Sequence, residues 1–480
     1  MNKLISDLEC RILSETDVNQ ALEIARQYGN LLWFADIGIY DAPTIENHLI
    51  NQCLNFFENQ PAACGDHVTS VVHVISEPLL TGGHTRLMEK LAGMHEESVD
   101  LIISRQASMR AELRVSNFFS KVLKVASVRP IDIVIELVNM FRLYEKIILH
   151  IHPDDIYAVA ACGVVKRLYN KNIFFVNHAD HVFTYGSMVA DYYFELSSYG
   201  KRLDSKKTIL GKKTFLGIPV HFSIAPSNLD FKPSEDQQLL FVSAGSDVKY
   251  KPNKGSDIFE LVSRILEVYN SSKFLIIGSN LKSSFWFWAL KLKYGRRLDI
   301  RSHLEFDEYN NAVAKADFYV DSHPIPGGTA FAEQYLGGRR CVGLVSPIQG
   351  YSPADKLKRI SVDEVLESIS DYKHSDSILA EIISVNGVEN VKHRYLACIS
   401  NGVICENMLD SSNAWTGDVA FFKKDSLRLN ADVSVNTFCS LYGLGGGYAV
   451  SLFRSLTLRK QIKLLVKLVV SLCKFEKKAA

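Results

Sequence analysis

The chain is short of several things, and each shortage excludes something. Its nine cysteines, Cys10, Cys53, Cys64, Cys162, Cys341, Cys398, Cys405, Cys439 and Cys473, form no Cys-x-x-Cys pair and keep no regular spacing. Neither a zinc site nor a disulfide framework is indicated, and the pattern suits a reducing compartment. An excess of charge of one sign is also lacking. The 54 basic residues meet 53 acidic ones, a net charge of +1, so nothing global points to nucleic acid or an acidic polymer as partner. No uncharged apolar run is long enough to span a bilayer. The opening segment, MNKLISDLECRIL, carries acidic residues early and has no apolar stretch leading to a small-residue cleavage site, which argues against a secretory signal. A cytoplasmic location is the expectation.

What is present is the composition of a folded protein, 47% hydrophobic and 22% charged, in a chain of 480 residues. That length exceeds what one core usually serves, so two or three domains are expected. Residues 1–65 repeat apolar positions at intervals of three and four without strand-like alternation, which predicts a helical extension packed on the adjoining domain. Between residues 66 and 225, short β-branched runs (VTSVVHVIS, VDLIIS, KIILHIH, NIFFVNH) alternate with longer amphipathic ones. That alternation implies crossover helices and a parallel sheet. A stretch rich in Pro, Ser and Asp ends at residue 238 and reads as a linker, and the alternation restarts across 236–400 with LLFVSAG, KFLIIGS, ADFYVDS and RRCVGLVS. Two Rossmann-like units facing across a cleft are therefore expected, with ligands beyond the carboxyl ends of the strands.

Residues 401–480 form a third kind of segment. GLGGGYAV at 443–450 has the letters of a nucleotide loop, but no strand precedes it, and a turn is the expectation. Residues 451–478 place leucines and valines at helical spacing among Arg454, Arg459, Lys460, Lys463, Lys467, Lys474, Lys477 and Lys478, with Glu476 alone opposing them. A basic amphipathic helix of this kind suits an anionic membrane surface. A helix docked on the protein with a solvated basic face has the same pattern.

Glycine supplies the candidate site. Within residues 321–344, Gly327-Gly328-Thr329 stands directly before a helix-like run. A helix starting there offers unpaired N–H groups and the positive end of its dipole, and glycine lets a ligand approach the backbone, so a phosphate fits. An ordinary turn capped by Thr329 would carry the same letters. Glu333 lies one helical turn further on, placed to meet ribose hydroxyls, while Lys249, Lys251 and Lys254 come just after the first strand of the same unit and would neutralise a diphosphate. The first unit has its own pair, Gly82-Gly83, before a helix, with His84 next to it. VNHADH ends another strand with His178, Asp180 and His181. His178 and His84 are the candidate bases or sugar ligands, and His178, Asp180 and His181 have a spacing that also permits metal binding. HIHPDD at 150–155 and SHP at 322–324 contain His-Pro-like pairs and are read as loop residues.

This ordered set resembles the GT-B glycosyltransferases, in particular the large retaining family that builds bacterial polysaccharides, over residues 68–345. In that family a Gly-Gly leads from the first strand into a helix, as Gly82-Gly83 do here. Its second domain opens with a strand, a loop, an Arg and then a Lys-Gly, places taken here by Lys249 and by Lys254-Gly255. Its helix after the donor loop begins near a Glu and ends in Gly-x-Pro, matched by Glu333 and by Gly338-Arg339-Arg340 without the proline. YKP at 250–252 with GGT at 327–329 is also similar to O-linked N-acetylglucosamine transferases.

The resemblance implies a metal-independent transferase with no cofactor. Such an enzyme moves a sugar from a nucleotide-sugar to a saccharide or glycolipid, in the cytoplasm or peripherally at the inner face of the plasma membrane, in bacterial surface-polysaccharide synthesis. It makes Gly82, Gly83, Lys249, Lys254, Gly327, Gly328, Thr329 and Glu333 donor-binding residues, and His178, His84 and Lys249 catalytic ones. A nucleotide-sugar 2-epimerase of the same fold, or a non-catalytic binding protein, would share these letters. One departure leaves the stereochemical outcome open: the family's first glutamate, which contacts the transferred sugar, is replaced here by Ile325.

Overall fold

The computed structural model describes residues 2–35, 37–57, 70–80, 83–221, 230–302, 304–410, 415–421, 423 and 433–479. Gly82 lies outside the described residues. Seven strands form the first sheet: β1 Val71–Ile75, β2 Asp100–Ile103, β3 Val122–Lys124, β4 Lys146–His150, β5 Asn172–Val176, β6 Tyr192–Glu195 and β7 Lys212–Phe215. They run parallel in the order β3-β2-β1-β4-β5-β6-β7. Five more, β8 Leu240–Ala244, β9 Lys273–Ile277, β10 Leu298–Arg301, β11 Phe318–Val320 and β12 Arg340–Val342, form the second. These are also parallel, in the order β10-β9-β8-β11-β12.

The central strands are apolar along almost their whole length because both faces of each sheet are covered. In β1, Val72 and Val74 enter a core shared with the N-terminal helices, while Val71 and Ile75 enter the opposite one. Each sheet reverses its winding between its first and fourth strands, at β1/β4 and at β8/β11. A crevice opens at such a reversal, beyond the carboxyl ends of the strands. The four strands that the sequence pattern did not announce are β3, β6, β7 and β10; three are sheet edges, and all are short and carry polar or charged residues, as edge strands do.

The helical extension is no separate unit. Leu22, Leu31 and Leu32 of the helix Val18–Ala35 share one core with Val134, Leu137 and Phe141 of the helix Pro130–Phe141 and with β1 and β4. Leu441, Ala449, Leu452 and Leu464, from the helices Val435–Leu444, Gly446–Ser455 and Leu458–Ala479, enter the same core. The glycine run at 443–450 thus becomes a break between two helices, with Gly445 at φ +154°.

The boundary expected at residue 400 is corrected. The helix Val388–Asn401 sends Val391, Tyr395, Cys398 and Ile399 into the core beneath the first sheet, where its apolar stripe is buried. The chain crosses to the second domain after Val220 and returns at Gly387, and these two residues pair side by side.

Candidate active site

The loop from β11 to the helix Thr329–Leu336 is fixed from behind. Asp321, 1% exposed, accepts hydrogen bonds through Oδ1 from the Ser322 N–H at 2.9 Å and the Gly327 N–H at 2.8 Å. Its other oxygen lies 2.7 Å from the Lys358 ammonium, which also meets Asp355 at 2.5 Å. Asp355 in turn accepts from the Gly350 N–H at 2.7 Å. A charged pair removed from water holds only with such additional bonds, and here they define the course of the loop. Gly327 is required: a Cβ would stand 2.7 Å from the Asp321 carboxylate. Gly328, at φ +61°, would meet nothing within 4 Å, so the space before the helix is open.

Lys249 is brought to this loop. Its ammonium donates to the Pro326 carbonyl at 3.1 Å, and its own carbonyl accepts from the Ile325 N–H at 3.2 Å. Burial lowers its pKa below the ordinary lysine value, with Asp321 opposing the shift. Thr329 is the first residue of the helix. Glu333, one turn along, is solvent-accessible on the wall of the cleft. The surrounding protein raises its pKa, and the positive charges of Lys90 and Arg86, on the facing helix Gly83–Ala92 of the first domain, pull it back. Lys254 sits at φ +48° on an exposed turn, its ammonium 5.8 Å from the ring of Phe421.

At the β1/β4 reversal of the first sheet stands a constellation that sequence reading passed over as loop residues. The His152 ring places Nδ1 2.5 Å from Asp154 Oδ1. Asp154 is fixed by Arg105 at 2.7 Å and by the Asn30 side-chain amide at 3.1 Å. Burial alone would raise the Asp154 carboxyl, but Arg105 and His152 hold it well below the usual carboxylate range. Asp155 accepts from Ser76 and Ser104, each at 2.5 Å, and caps the helix Ile156–Tyr169 through the Ala158 N–H. Trp33, from the helical extension, meets the His152 ring edge-on with centroids 4.3 Å apart. A neutral imidazole that gives Nδ1–H to a buried carboxylate keeps Nε2 as a base of fixed orientation. The available signal was the spacing: a histidine two residues before an aspartate, immediately after a buried strand.

His178 and His84 are brought together, their ring centroids 5.9 Å apart. His178 Nε2 lies 2.8 Å from Nδ1 of His150, the last residue of β4. His84 lies 3.3 Å from the Glu77 carbonyl, on the helix that Gly83 begins. Burial lowers the pKa of both, His178 to about 3. Asp180 does not join His178. Its carboxylate accepts from Ser197 at 2.5 Å and, across the domain boundary, from the Tyr351 hydroxyl at 2.8 Å. Asp180 Oδ1 also stands 3.5 Å from His181 Nδ1, so the pair meets without His178, and among the described residues no cluster of three or more His, Cys, Asp or Glu is placed to hold a metal ion. His323, of the SHP stretch, is buried rather than on an open loop.

The two domains also meet where the Ser198 N–H donates to the Gly350 carbonyl at 2.8 Å. Beside this contact a cavity runs between them, lined by Val182 and Tyr199 on one side and by Val248, Pro324 and Ile325 on the other, with Ala420 across its end. The helix Thr329–Leu336 faces the helix Gly83–Ala92 through Glu333 with Lys90 and Arg86, and His84, at the start of that facing helix, feels His152 and packs near His178.

No protein-family model matches the chain, and no curated protein matches it in sequence. Solved structures do. HepE from Anabaena, in complex with UDP and glucose, superposes with a TM-score of 0.50 at 11% identity, covering 69% of this chain and 100% of that one. The lipopolysaccharide outer core galactosyltransferase WaaB gives 0.49 at 15% identity over 69% and 100%. The O-GlcNAc transferase of Thermobaculum terrenum gives 0.46 at 13% over 85% and 78%. Identities this low speak to the fold alone. With the two parallel sheets and their facing crevices, the HepE superposition identifies the architecture: the chain has a GT-B glycosyltransferase-like fold.

Proposed function

We propose that the protein is a metal-independent glycosyltransferase that moves a sugar from a nucleotide-sugar to a saccharide or glycolipid acceptor. The observation that carries this reading is that the helix Thr329–Leu336, whose open start is pinned by Asp321 and Lys358, meets Lys90 and Arg86 of the facing helix Gly83–Ala92 through Glu333, and that facing helix begins with His84, beside His152 and His178.

The donor diphosphate lies against the Gly328 and Thr329 N–H groups with Lys249 beside it, and Glu333 takes the ribose hydroxyls. His178 and His84 hold the sugar. His152 Nε2 accepts the proton of the acceptor hydroxyl as its oxygen bonds to the anomeric carbon, and the bond from that carbon to the diphosphate breaks. The electron pair leaves on the phosphate, where the helix start and Lys249 stabilise it more in the transition state than in the ground state. A base on the acceptor side fits single displacement with inversion, and it suits a chain with Ile325 in place of the retaining family's first glutamate.

The helix Leu458–Ala479 supports an acceptor at a membrane. Leu464 is buried and Leu468 packs beneath it, while Leu458, Ile462 and Val469 form a second apolar face that stays exposed, beside Lys460, Lys463 and Lys467. Among the described residues, no helix is long and apolar enough to cross a membrane. We therefore assign this helix to the surface of an anionic bilayer.

The test is mass-spectrometric: protein with EDTA and a panel of UDP-, GDP-, ADP-, dTDP- and CMP-sugars, with and without simple saccharide acceptors. Release of nucleotide from one donor, reduced at least about a hundredfold in Lys249→Ala, is the expected result. An isomer formed from donor alone would replace transfer by epimerisation. Absence of both release and binding across the panel would overturn the reading.

A further inference from the structure

His178 is the cleft end of a longer chain. His150 Nε2 lies 3.0 Å from His73 Nδ1, His73 Nε2 lies 3.4 Å from the Tyr395 hydroxyl, and that hydroxyl lies 2.9 Å from His95 Nε2. His73 Nε2 also stands 3.5 Å from His95 Nε2. The middle is sealed, with His73 and His150 at 0% and 1% exposure, and both ends, His178 and His95, are partly exposed. A histidine in the centre of the otherwise apolar strand VVHVI is costly unless its ring is fully bonded.

We propose that Tyr395, His73 and His150 are positioning residues for His178: one hydrogen-bonded chain that fixes its tautomer and leaves its Nδ1 a bare acceptor in the cleft. The role for Nδ1 rests on the reading of the cleft as a sugar site; the chain itself does not.

The chemistry is constrained by charge. Among the described residues, no carboxylate or ammonium hydrogen-bonds to the rings of His73, His150 or His178. The groups facing them are His84 on the helix Gly83–Ala92, Tyr395 on the helix Val388–Asn401, and His95, which feels Lys146. Burial, with each imidazole repelling charge on the next, keeps all of them neutral.

A neutral imidazole has one N–H, so each ring that donates on one side must accept on the other. His178, His150 and His73 must therefore all be Nε2–H or all Nδ1–H. Tyr395 decides between the two states. Its hydroxyl donates along the shorter contact, to His95, and its oxygen accepts from His73 Nε2–H. His73 Nδ1 then accepts from His150 Nε2–H, and His150 Nδ1 accepts from His178 Nε2–H. Among the described residues no protein group bonds His178 Nδ1, which is left for a sugar O–H.

Two-bond 1H–15N correlation on protein labelled with 15N-histidine, at pH 7, reads the tautomers directly. His73, His150 and His178 all in the Nε2–H form is the expected result; a mixture of tautomers among the three overturns the proposal. Tyr395→Phe removes one hydroxyl, and His95→Leu removes the acceptor at the partly exposed end. Either one should move the ring signals of His178, which neither residue touches, and weaken donor-sugar binding about tenfold. An unmoved His178 in the variant that folds overturns the chain. Tautomers that move together in a protein binding no nucleotide-sugar uphold the chain and overturn the sugar reading instead.

Discussion

The two crevices that face each other are held by opposite means. In the second sheet, full charges do the holding: the Lys358 ammonium, buried with Asp321 and Asp355, fixes the loop that starts the helix Thr329–Leu336. In the first sheet, four imidazoles and a phenol run inward from His178, and the ion pair of Asp154 with Arg105 sits beside His152. The difference reflects the task each wall would perform. A diphosphate brings its own charge, so its cradle must be immobile and must not collapse onto Lys249. Sugar and acceptor hydroxyls are neutral, and directional donors and acceptors recognise them better than charge does.

The largest effect expected from disturbing this contrast is Lys358→Met. It leaves Asp321 buried without its cation, a cost of about 3–5 kcal/mol, and chemical denaturation should show the second domain melting first. Stability equal to the parent's would mean that the loop is not held by charge. Next is His152→Ala, which should lower kcat for transfer about 100- to 1,000-fold with KM for the donor unchanged. A change confined to KM would move His152 from chemistry to binding.

Acid should then separate the domains. In the first, His73, His95, His150 and His178 all have folded-state pKa values below the ordinary histidine value of 6.5, that of His95 lying at about 4. The unfolded chain therefore binds more protons than the folded one in that interval. The stability these groups contribute is present above pH 6.5 and is lost as the pH falls toward about 4. Among the described residues of the second domain, His323 alone is shifted this way, also to about 4. Hydrogen exchange measured down that pH series should thus deprotect the first sheet before the second, and equal deprotection would contradict the neutral chain. The smallest effect belongs to the helix at the edge of the first domain. Replacing Ile462 and Val469, both on the exposed apolar face, with glutamine should lower sedimentation with phosphatidylglycerol vesicles several-fold and keep turnover on a soluble acceptor.

The open helix start at Gly328-Thr329 was legible in the sequence, and most of the histidine cluster of the first domain was not. Gly327-Gly328-Thr329 stands out because phosphate binding at a helix start is a local property, written in neighbouring residues. Lys358 is 37 positions from Asp321, and nothing in either residue's surroundings announces the pair. His73 and His150 lie in runs that read simply as buried strands, so the pattern that revealed β1 and β4 also hid the polar chain running through them. His152 and Asp154 were visible as letters, but their partners Arg105 and Asn30 come from other elements. Lys254, whose spacing matched, has the Phe421 ring 5.8 Å from its ammonium, a neighbour its spacing could not announce.

The side-by-side pairing of Val220 and Gly387 has a consequence for how the molecule is made. The second sheet is an insertion in the first domain, whose two cores take in Val391, Tyr395 and Ile399 on one face and Leu441, Leu452 and Leu464 on the other from the chain that follows it. A ribosome therefore delivers an entire second domain, able to fold as it emerges, while the first still waits with its strands assembled and both its faces incomplete. Because the two crossing points touch, the inserted domain can fold and turn without pulling the waiting strands apart, and joining them directly should leave a first domain that folds on its own.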